Sequence, residues 1–190
     1  MSVDTRGPWT VTLPTAEDTR SLAERLAAVL RAGDLLLLIG ELGAGKTTFT
    51  QGLGRGLGVR AGIISPTFVL ARVHPSEVGG PELVHVDAYR LGSAGELEDL
   101  DLVESLDRSV TVVEWGRDRA EGLAESRLEL ELVRPLGGAA PRDTGDAAAP
   151  APWEDEEFED DAVQRTLTVR AVGPRWDEVA RAALAAALAG

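Results

Sequence analysis

Residues 34–48 read DLLLLIGELGAGKTT, and this stretch decides the fold. Residues 34–39 contain a short, continuous apolar run, which is typical of a strand buried on both faces of a parallel sheet. Residues 40–47 follow at once and match G-x-x-x-x-G-K-[ST], the pattern of a phosphate-binding loop. A helix that Gly58 can end is predicted next, because apolar residues recur every four positions. These apolar residues are Phe49, Leu53 and Leu57. A strand, a glycine-rich turn and a helix in this order predict a nucleotide-binding P-loop.

Each part of the loop has a predicted role. Its glycines let the backbone approach phosphate oxygens, and the start of the helix adds a partial positive charge. We expect a bound nucleotide to contact Glu41, Leu42, Gly43, Ala44, Gly45, Lys46, Thr47 and Thr48. Lys46 is predicted to reach the β- and γ-phosphates, and the Thr47 hydroxyl to bind Mg²⁺. Thr48 could add a second hydroxyl at the α-phosphate or be an ordinary helix residue.

Lys46 is the single lysine in the chain, beside eighteen arginines. A compact ammonium group reaches between two phosphates, whereas a planar guanidinium is bulkier and directs its hydrogen bonds differently. A chain that otherwise uses arginine throughout has therefore kept lysine where phosphate chemistry requires it.

A P-loop also needs an acidic residue at the end of a neighbouring strand, to organise Mg²⁺ and water. Two residues qualify, since Asp87 ends the segment LVHVD and Glu114 ends VTVVE. Both would project from the carboxyl edge of the sheet, where ligands bind in open α/β folds. Either of them could be the direct metal ligand.

Further strands and helices are predicted on both sides of the P-loop. We expect strands at 9–13, 68–73, 83–86, 110–113, 128–133 and 167–172. We expect helices from Thr15 to Gly33, within 97–106 and over 176–188, with Thr15 and Asp18 spaced as a near capping box. This order predicts an α/β fold, a three-layer P-loop NTPase-like domain with a mixed, mostly parallel sheet.

Composition excludes several classes of protein. The 190 residues include no cysteine, which rules out a thiol nucleophile, a disulfide scaffold and a zinc-thiolate site. The longest strongly apolar run has five residues, at 35–39, where a membrane span needs about 20. The N-terminal segment has no export pattern. We therefore expect a cytoplasmic protein that has no membrane partner.

The negative charge is concentrated in one tract. Residues 137–161 carry nine acidic side chains against Arg142 alone, a net −8 of the chain's −13. Glycine, alanine, proline and like charges together predict a flexible surface insertion within a single domain spanning residues 1–190. Little basic surface is left, so the chain is not expected to grip nucleic acid itself.

Five motifs in order give the chain a family resemblance. They are GELGAGKTT at Gly40, SPTF at Ser65, HVDAYR at His85, ELEDLDL at Glu96 and VVEW at Val112. Over residues 14–133 the sequence resembles the bacterial TsaE proteins, small P-loop ATPases of the threonylcarbamoyladenosine pathway of tRNA modification. The acidic tract is longer than that family needs.

The resemblance implies a set of residue roles. Lys46 and Thr47 would bind the phosphates and Mg²⁺, Asp87 would take the Walker B position, and Glu114 would join the metal shell or activate water. Thr67 would sense the γ-phosphate from a switch-like loop, Trp115 would lie beside the nucleotide, and Arg165 would contact it. Plainer alternatives are a turn at residues 65–67 and core packing for Trp115.

The resemblance also implies a function. The chain would hydrolyse ATP with Mg²⁺ to assist modification of adenosine 37 in ANN-decoding tRNAs, without transferring the group itself. Its partners would be TsaB and TsaD, with tRNA reached only through their complex, and turnover would be slow without them. Two alternatives stay open: a small-molecule kinase, with Arg117 and Arg119 as lid residues, and a nucleotide-sensing scaffold that hydrolyses nothing. A GTPase is disfavoured because no NKxD-type sequence occurs.

Overall fold

A computed structural model describes residues 6–66, 69–90, 105–135 and 163–190. Seven strands in these ranges form one sheet, in the order β1-β7-β6-β2-β5-β4-β3. The strands are β1 (Trp9–Leu13), β2 (Leu35–Ile39), β3 (Ala71–His74), β4 (Glu82–Asp87), β5 (Ser109–Glu114), β6 (Arg127–Val133) and β7 (Arg165–Val172). The helices are α1 (Ala16–Ala27), α2 (Lys46–Leu57) and α3 (Glu178–Ala189).

The sheet is mixed, as predicted. Its four central strands, β6, β2, β5 and β4, run parallel to one another. The outer strands β1, β7 and β3 pair in the antiparallel sense. The prediction of a mostly parallel sheet therefore holds for the centre of the sheet, where the P-loop lies. Counted over all pairings among the described strands, half are antiparallel.

Strand β2 is buried on both faces, which explains its unbroken run of leucines. Leu36 and Leu38 join a core cluster to which all three described helices contribute. Leu35 and Leu37 point to the opposite face, where Ala88 and Ala120 help to cover them. Short 3₁₀ turns at Ala88–Arg90 and Glu121–Leu123 contribute residues to this second cluster. The helices predicted within 97–106 lie almost wholly outside the described residues.

Two predicted boundaries were wrong. Helix α1 ends at Ala27, before Gly33, because the N–H groups of residues 28–30 bond to carbonyls three positions back and tighten the chain into 3₁₀ turns. Strand β3 begins at Ala71, after 68. The N–H groups of Val69 and Leu70 both donate to the Pro66 carbonyl, so this segment is a turn. The capping box of Thr15 and Asp18 is confirmed.

A buried ion pair joins the start of β2 to the segment before α3. Arg175 donates from Nε to Asp34 Oδ1 at 2.9 Å and from Nη2 to Asp34 Oδ2 at 3.1 Å. Its Nη2 also donates to the Val29 carbonyl at 3.0 Å. Asp34 is 3% exposed. This pair links residues 141 positions apart in sequence.

Replacing Asp34 with alanine is expected to lower the free energy of unfolding by about 3–5 kcal/mol, because it leaves the Arg175 guanidinium partly buried without its carboxylate. Urea unfolding followed by circular dichroism measures the change. Glu17→Ala is the control, since the pairs that Glu17 forms with Arg20 and Arg55 are exposed, and it should cost no more than about 1 kcal/mol. Equal losses in the two variants would contradict the prediction.

Candidate functional site

The candidate site lies where three parallel strands end. Asp87 is the last residue of β4 and pairs with Glu114, the last residue of β5. Glu114 also pairs with Leu38 in β2, one residue before the strand ends and two before the glycine-rich loop begins. The predicted juxtaposition of both carboxylates with the P-loop is therefore present at the carboxyl edge of the sheet.

The backbone of the loop fits its glycines. Gly45 is the N-cap of α2 at φ 100°, a left-handed conformation that side chains disfavour, and Gly43 has φ 76°. A Cβ atom at Gly40 would lie 2.6 Å from the carbonyl oxygen of Leu132, so the neighbouring strand leaves no room for a side chain. Helix α2 has no side-chain cap and no acid in its first turn. Its first N–H groups can therefore face an anion.

Lys46 folds back over the loop that precedes it. Its Nζ donates to the Gly40 carbonyl at 2.9 Å and to the Glu41 carbonyl at 3.0 Å. The ammonium also lies 4.1 Å from the ring centroid of Trp115, within range of a cation–π interaction. With 6% of its surface exposed, Lys46 is held against the glycine-rich loop and away from bulk water.

Burial lowers the pKa of Lys46 below its ordinary value of 10.5, and the charges of Glu114 and Asp87 partly offset this by raising it. Both carboxylates therefore act on the ammonium.

Glu114→Gln is expected to lower the pKa of Lys46 further, because it removes the larger of the two favourable charges. Since the chain has one lysine, ¹³C-lysine labelling gives a single resonance, whose pH titration reports this pKa directly. Glu129→Gln in β6, which β2 separates from β5, is the control and should leave the titration unchanged. A rise in the pKa of Lys46 in the Glu114 variant would contradict the arrangement described above.

The two carboxylates differ in their contacts. Asp87 accepts a hydrogen bond from the Tyr89 backbone N–H at 3.0 Å on Oδ1, and one from the Ser65 hydroxyl at 3.4 Å on Oδ2. Glu114 is bound through Oε1 to the Nε2 atom of His85 at 2.8 Å. Both acids are nearly buried, at 4% and 3% exposure. Asp87 is thus linked to the Ser65 loop, whereas Glu114 is linked to the interior of the sheet.

Trp115 adopts an unusual conformation beside the loop. It has φ 60°, which is rare for a bulky residue, and its N–H donates to the Leu38 carbonyl at 3.1 Å. Its ring contacts that of Tyr89, with centroids 5.2 Å apart. The chain turns sharply after Glu114, and this turn brings the indole over Lys46. Trp115 is half-buried, so core packing does not account fully for its position.

Two arginines approach the glycines of the loop. Arg165 is 5% exposed, and a Cβ at Gly45 would lie 3.1 Å from its Nε. Among the described residues this Nε has no hydrogen-bond partner, whereas Nη1 donates to the Val163 carbonyl at 2.8 Å. Arg134 is exposed, with Nη1 3.7 Å from the position of a Cβ at Gly43. The predicted position of Arg165 beside the nucleotide site is therefore compatible with the structure.

Sequence reasoning missed three neighbours of the site: Arg134, His85 and Tyr89. The motif HVDAYR contains two of them, and alternation along β4 places His85 on the same face as Asp87, a signal that could have found it. Thr67, the predicted γ-phosphate sensor, lies outside the described residues, as does the whole acidic tract at 137–161. No helix within the described ranges is long and apolar enough to cross a membrane.

The sequence matches known proteins over most of its length. The family model described as "Threonylcarbamoyl adenosine biosynthesis protein TsaE" matches residues 13–137. The tRNA threonylcarbamoyladenosine biosynthesis protein TsaE of Streptomyces coelicolor is 54% identical over 158 residues, covering 83% of this chain and 93% of that protein. The protein of the same name from Bacillus subtilis is 40% identical, covering 62% and 73%.

A solved structure shares the fold. The crystal structure of YdiB from Bacillus subtilis superposes with a TM-score of 0.62 at 27% identity, covering 92% of this chain and 93% of that one. The family resemblance that the five sequence motifs indicate is thereby confirmed. Since the family model and the relatives together span well over half of the sequence, the chain belongs to the TsaE family.

Proposed function

We propose that this protein is a Mg²⁺-dependent ATPase that supports threonylcarbamoyladenosine formation at position 37 of ANN-decoding tRNAs. One observation carries the proposal. The Lys46 ammonium, the Asp87 and Glu114 carboxylates and the uncapped start of α2 meet at a single edge of the sheet. That combination offers a cationic cradle for phosphates beside two oxygen donors for a hard cation.

The donor set fits ATP and Mg²⁺. The loop N–H groups and Lys46 would hold the phosphate oxygens, and the hydroxyl of Thr47 with the carboxylate of Asp87 or Glu114 would hold the metal. Mg²⁺, when bound, neutralises charge that develops on the phosphates. A buried carboxylate is also suited to accept a proton from water, and Glu114 is a candidate for this role as well as for the metal shell.

Two observations, the family and the charge, support the proposed partners. The relatives' names assign them to tRNA threonylcarbamoyladenosine biosynthesis, and by family resemblance TsaB and TsaD are the partners. About −5 of the net charge lies outside the acidic tract, so the rest of the chain has no excess of basic residues. A protein of this kind would act on partners that hold the tRNA. ATP turnover would reset their complex, and the group transfer itself would not occur here.

A kinase reading loses support in the structure. Arg117 donates to Glu131 at 3.1 Å, and Arg119 donates to the Ala88 carbonyl at 3.2 Å. The two arginines that could have served a lid are thus engaged elsewhere.

The test is phosphate release from Mg-ATP by the protein alone and with purified TsaB and TsaD. We expect slow release alone and faster release in the complex. Transfer of labelled γ-phosphate to a metabolite would favour a kinase instead. Nucleotide binding without release in either condition would indicate a non-hydrolysing scaffold and overturn the proposed activity.

A further inference from the structure

His85 makes a short, buried side-chain contact with Glu114. Its Nε2 lies 2.8 Å from Glu114 Oε1, and the side chains of His85 and Glu114 are 0% and 4% exposed. The contact follows from the strand register. His85 pairs with Val112 across β4 and β5, so Glu114, two residues further on, is its diagonal neighbour on the same face.

The chemistry of the two groups fixes the direction of the hydrogen bond. An ionised carboxylate only accepts hydrogen bonds, so Nε2 must carry the hydrogen that it donates. The other ring nitrogen, Nδ1, is buried and has no partner among the described residues. A buried polar atom left without a partner costs free energy. Among the described residues, Glu114 is therefore the one hydrogen-bond partner of the imidazole, and the bond is made through Nε2.

Glu114 needs such a contact more than Asp87 does. Asp87 is held by the Tyr89 N–H and the Ser65 hydroxyl. For Glu114 the described side-chain hydrogen bond is the one from His85. A donor on Oε1 fixes the rotation of the carboxylate and so directs Oε2, the oxygen left for water or metal.

We propose that His85 is a positioning residue for Glu114, holding this carboxylate in the orientation that ATP hydrolysis requires. The inference rests on the proposed function and extends it to a residue outside the phosphate-binding loop. His85 touches neither substrate nor metal in this scheme, because it lies behind Glu114 within the sheet. Partners that orient a reacting carboxylate or metal ligand in this way typically contribute about 10–100-fold to activity.

Two amide variants provide the test, because they place a donor at different distances from the backbone. His85→Gln puts an N–H₂ group near the position of Nε2, and His85→Asn puts one near the position of Nδ1. We expect His85→Asn to lower kcat for ATP hydrolysis about 10–100-fold with the affinity for Mg-ATP changed by no more than about threefold. His85→Gln should recover most of the lost kcat. The matched control is His74→Gln in β3, at the only other histidine, which should behave as wild type.

The outcomes separate this inference from the function on which it rests. Wild-type hydrolysis with equal kcat values for the Gln and Asn variants would overturn the positioning role alone. No hydrolysis by the wild type, with or without TsaB and TsaD, would overturn the proposed function and this role together. A second measurement covers variants that fold poorly: in a Glu114→Gln background the His85→Asn change should cost no further kcat. Additive losses would contradict a role exerted through Glu114.

Discussion

Replacing Lys46 with alanine is expected to lower kcat/KM for ATP hydrolysis by at least about 100–1,000-fold, a loss typical of removing one preorganised charge or donor from a transition state. Lys46 is the single cation whose described contacts converge on the loop carbonyls and Trp115, and no other lysine exists to replace it. Phosphate release under saturating partner concentrations, together with nucleotide binding by calorimetry, measures the effect. Full activity in this variant would refute the proposed mechanism.

Lys46→Arg is the informative companion variant. It retains the positive charge but replaces a compact ammonium with a planar group in a space bounded by the Gly40 and Glu41 carbonyls and the Trp115 ring. We expect it to be nearly as inactive as the alanine variant. Recovery of activity in Lys46→Arg would show that charge alone matters at this position. Circular dichroism spectra matching the wild type would exclude misfolding as the cause.

Replacing Glu114 with glutamine is expected to lower kcat by about 100–10,000-fold, the range for loss of a positioned acid–base group. Glutamine has nearly the same shape, but it cannot take a proton from water and is a poorer ligand for Mg²⁺. Affinity for nucleotide should fall much less than kcat, since in the proposed function the loop and Lys46 would hold the phosphates. Single-turnover phosphate release with the partners present separates the two effects.

Glu82→Gln is the control for this prediction. Glu82 begins β4, at the end of the strand opposite the site, and its carboxylate forms a 3.6 Å pair with the exposed Arg108. Its replacement should leave kcat and nucleotide affinity unchanged. A Glu114 variant as active as the Glu82 variant would assign the essential carboxylate to Asp87, whose replacement by asparagine would then abolish hydrolysis.

Local sequence signals predicted most of the fold because they reflect local physics. The leucine run at 35–38 indicates a strand buried on both faces, and the spacing of Phe49 and Leu53 gives α2 its apolar stripe. The predicted end of α1 and start of β3 were wrong, because local backbone hydrogen bonds form turns where the apolar pattern predicted a helix or a strand. Helix α1 stops at Ala27 although Val29 and Leu30 still pack against the core, as its apolar period implied.

The part of the site that lies at the ends of strands could be predicted from the sequence. Asp87 and Glu114 could be assigned because parallel strands bring their carboxyl ends to one edge. The different hydrogen-bond partners of the two carboxylates could not be predicted, because they depend on which side chains the strand register brings together. The contact of Glu114 with His85 and the close approach of Arg165 to Gly45 join residues far apart in sequence, and no spacing rule reaches across 29 or more positions.

The sequence by itself determined the glycine-rich P-loop motif, the family and the two acidic candidates, because each is carried by short runs of residues whose chemistry and conformation are local. Only the tertiary structure decided how those groups meet: Lys46 beneath Trp115, His85 behind Glu114, and Arg165 against the loop. The physical reason is that strand register and close packing select partners between distant segments, and those contacts set the burial and charge on which the chemistry of the site depends.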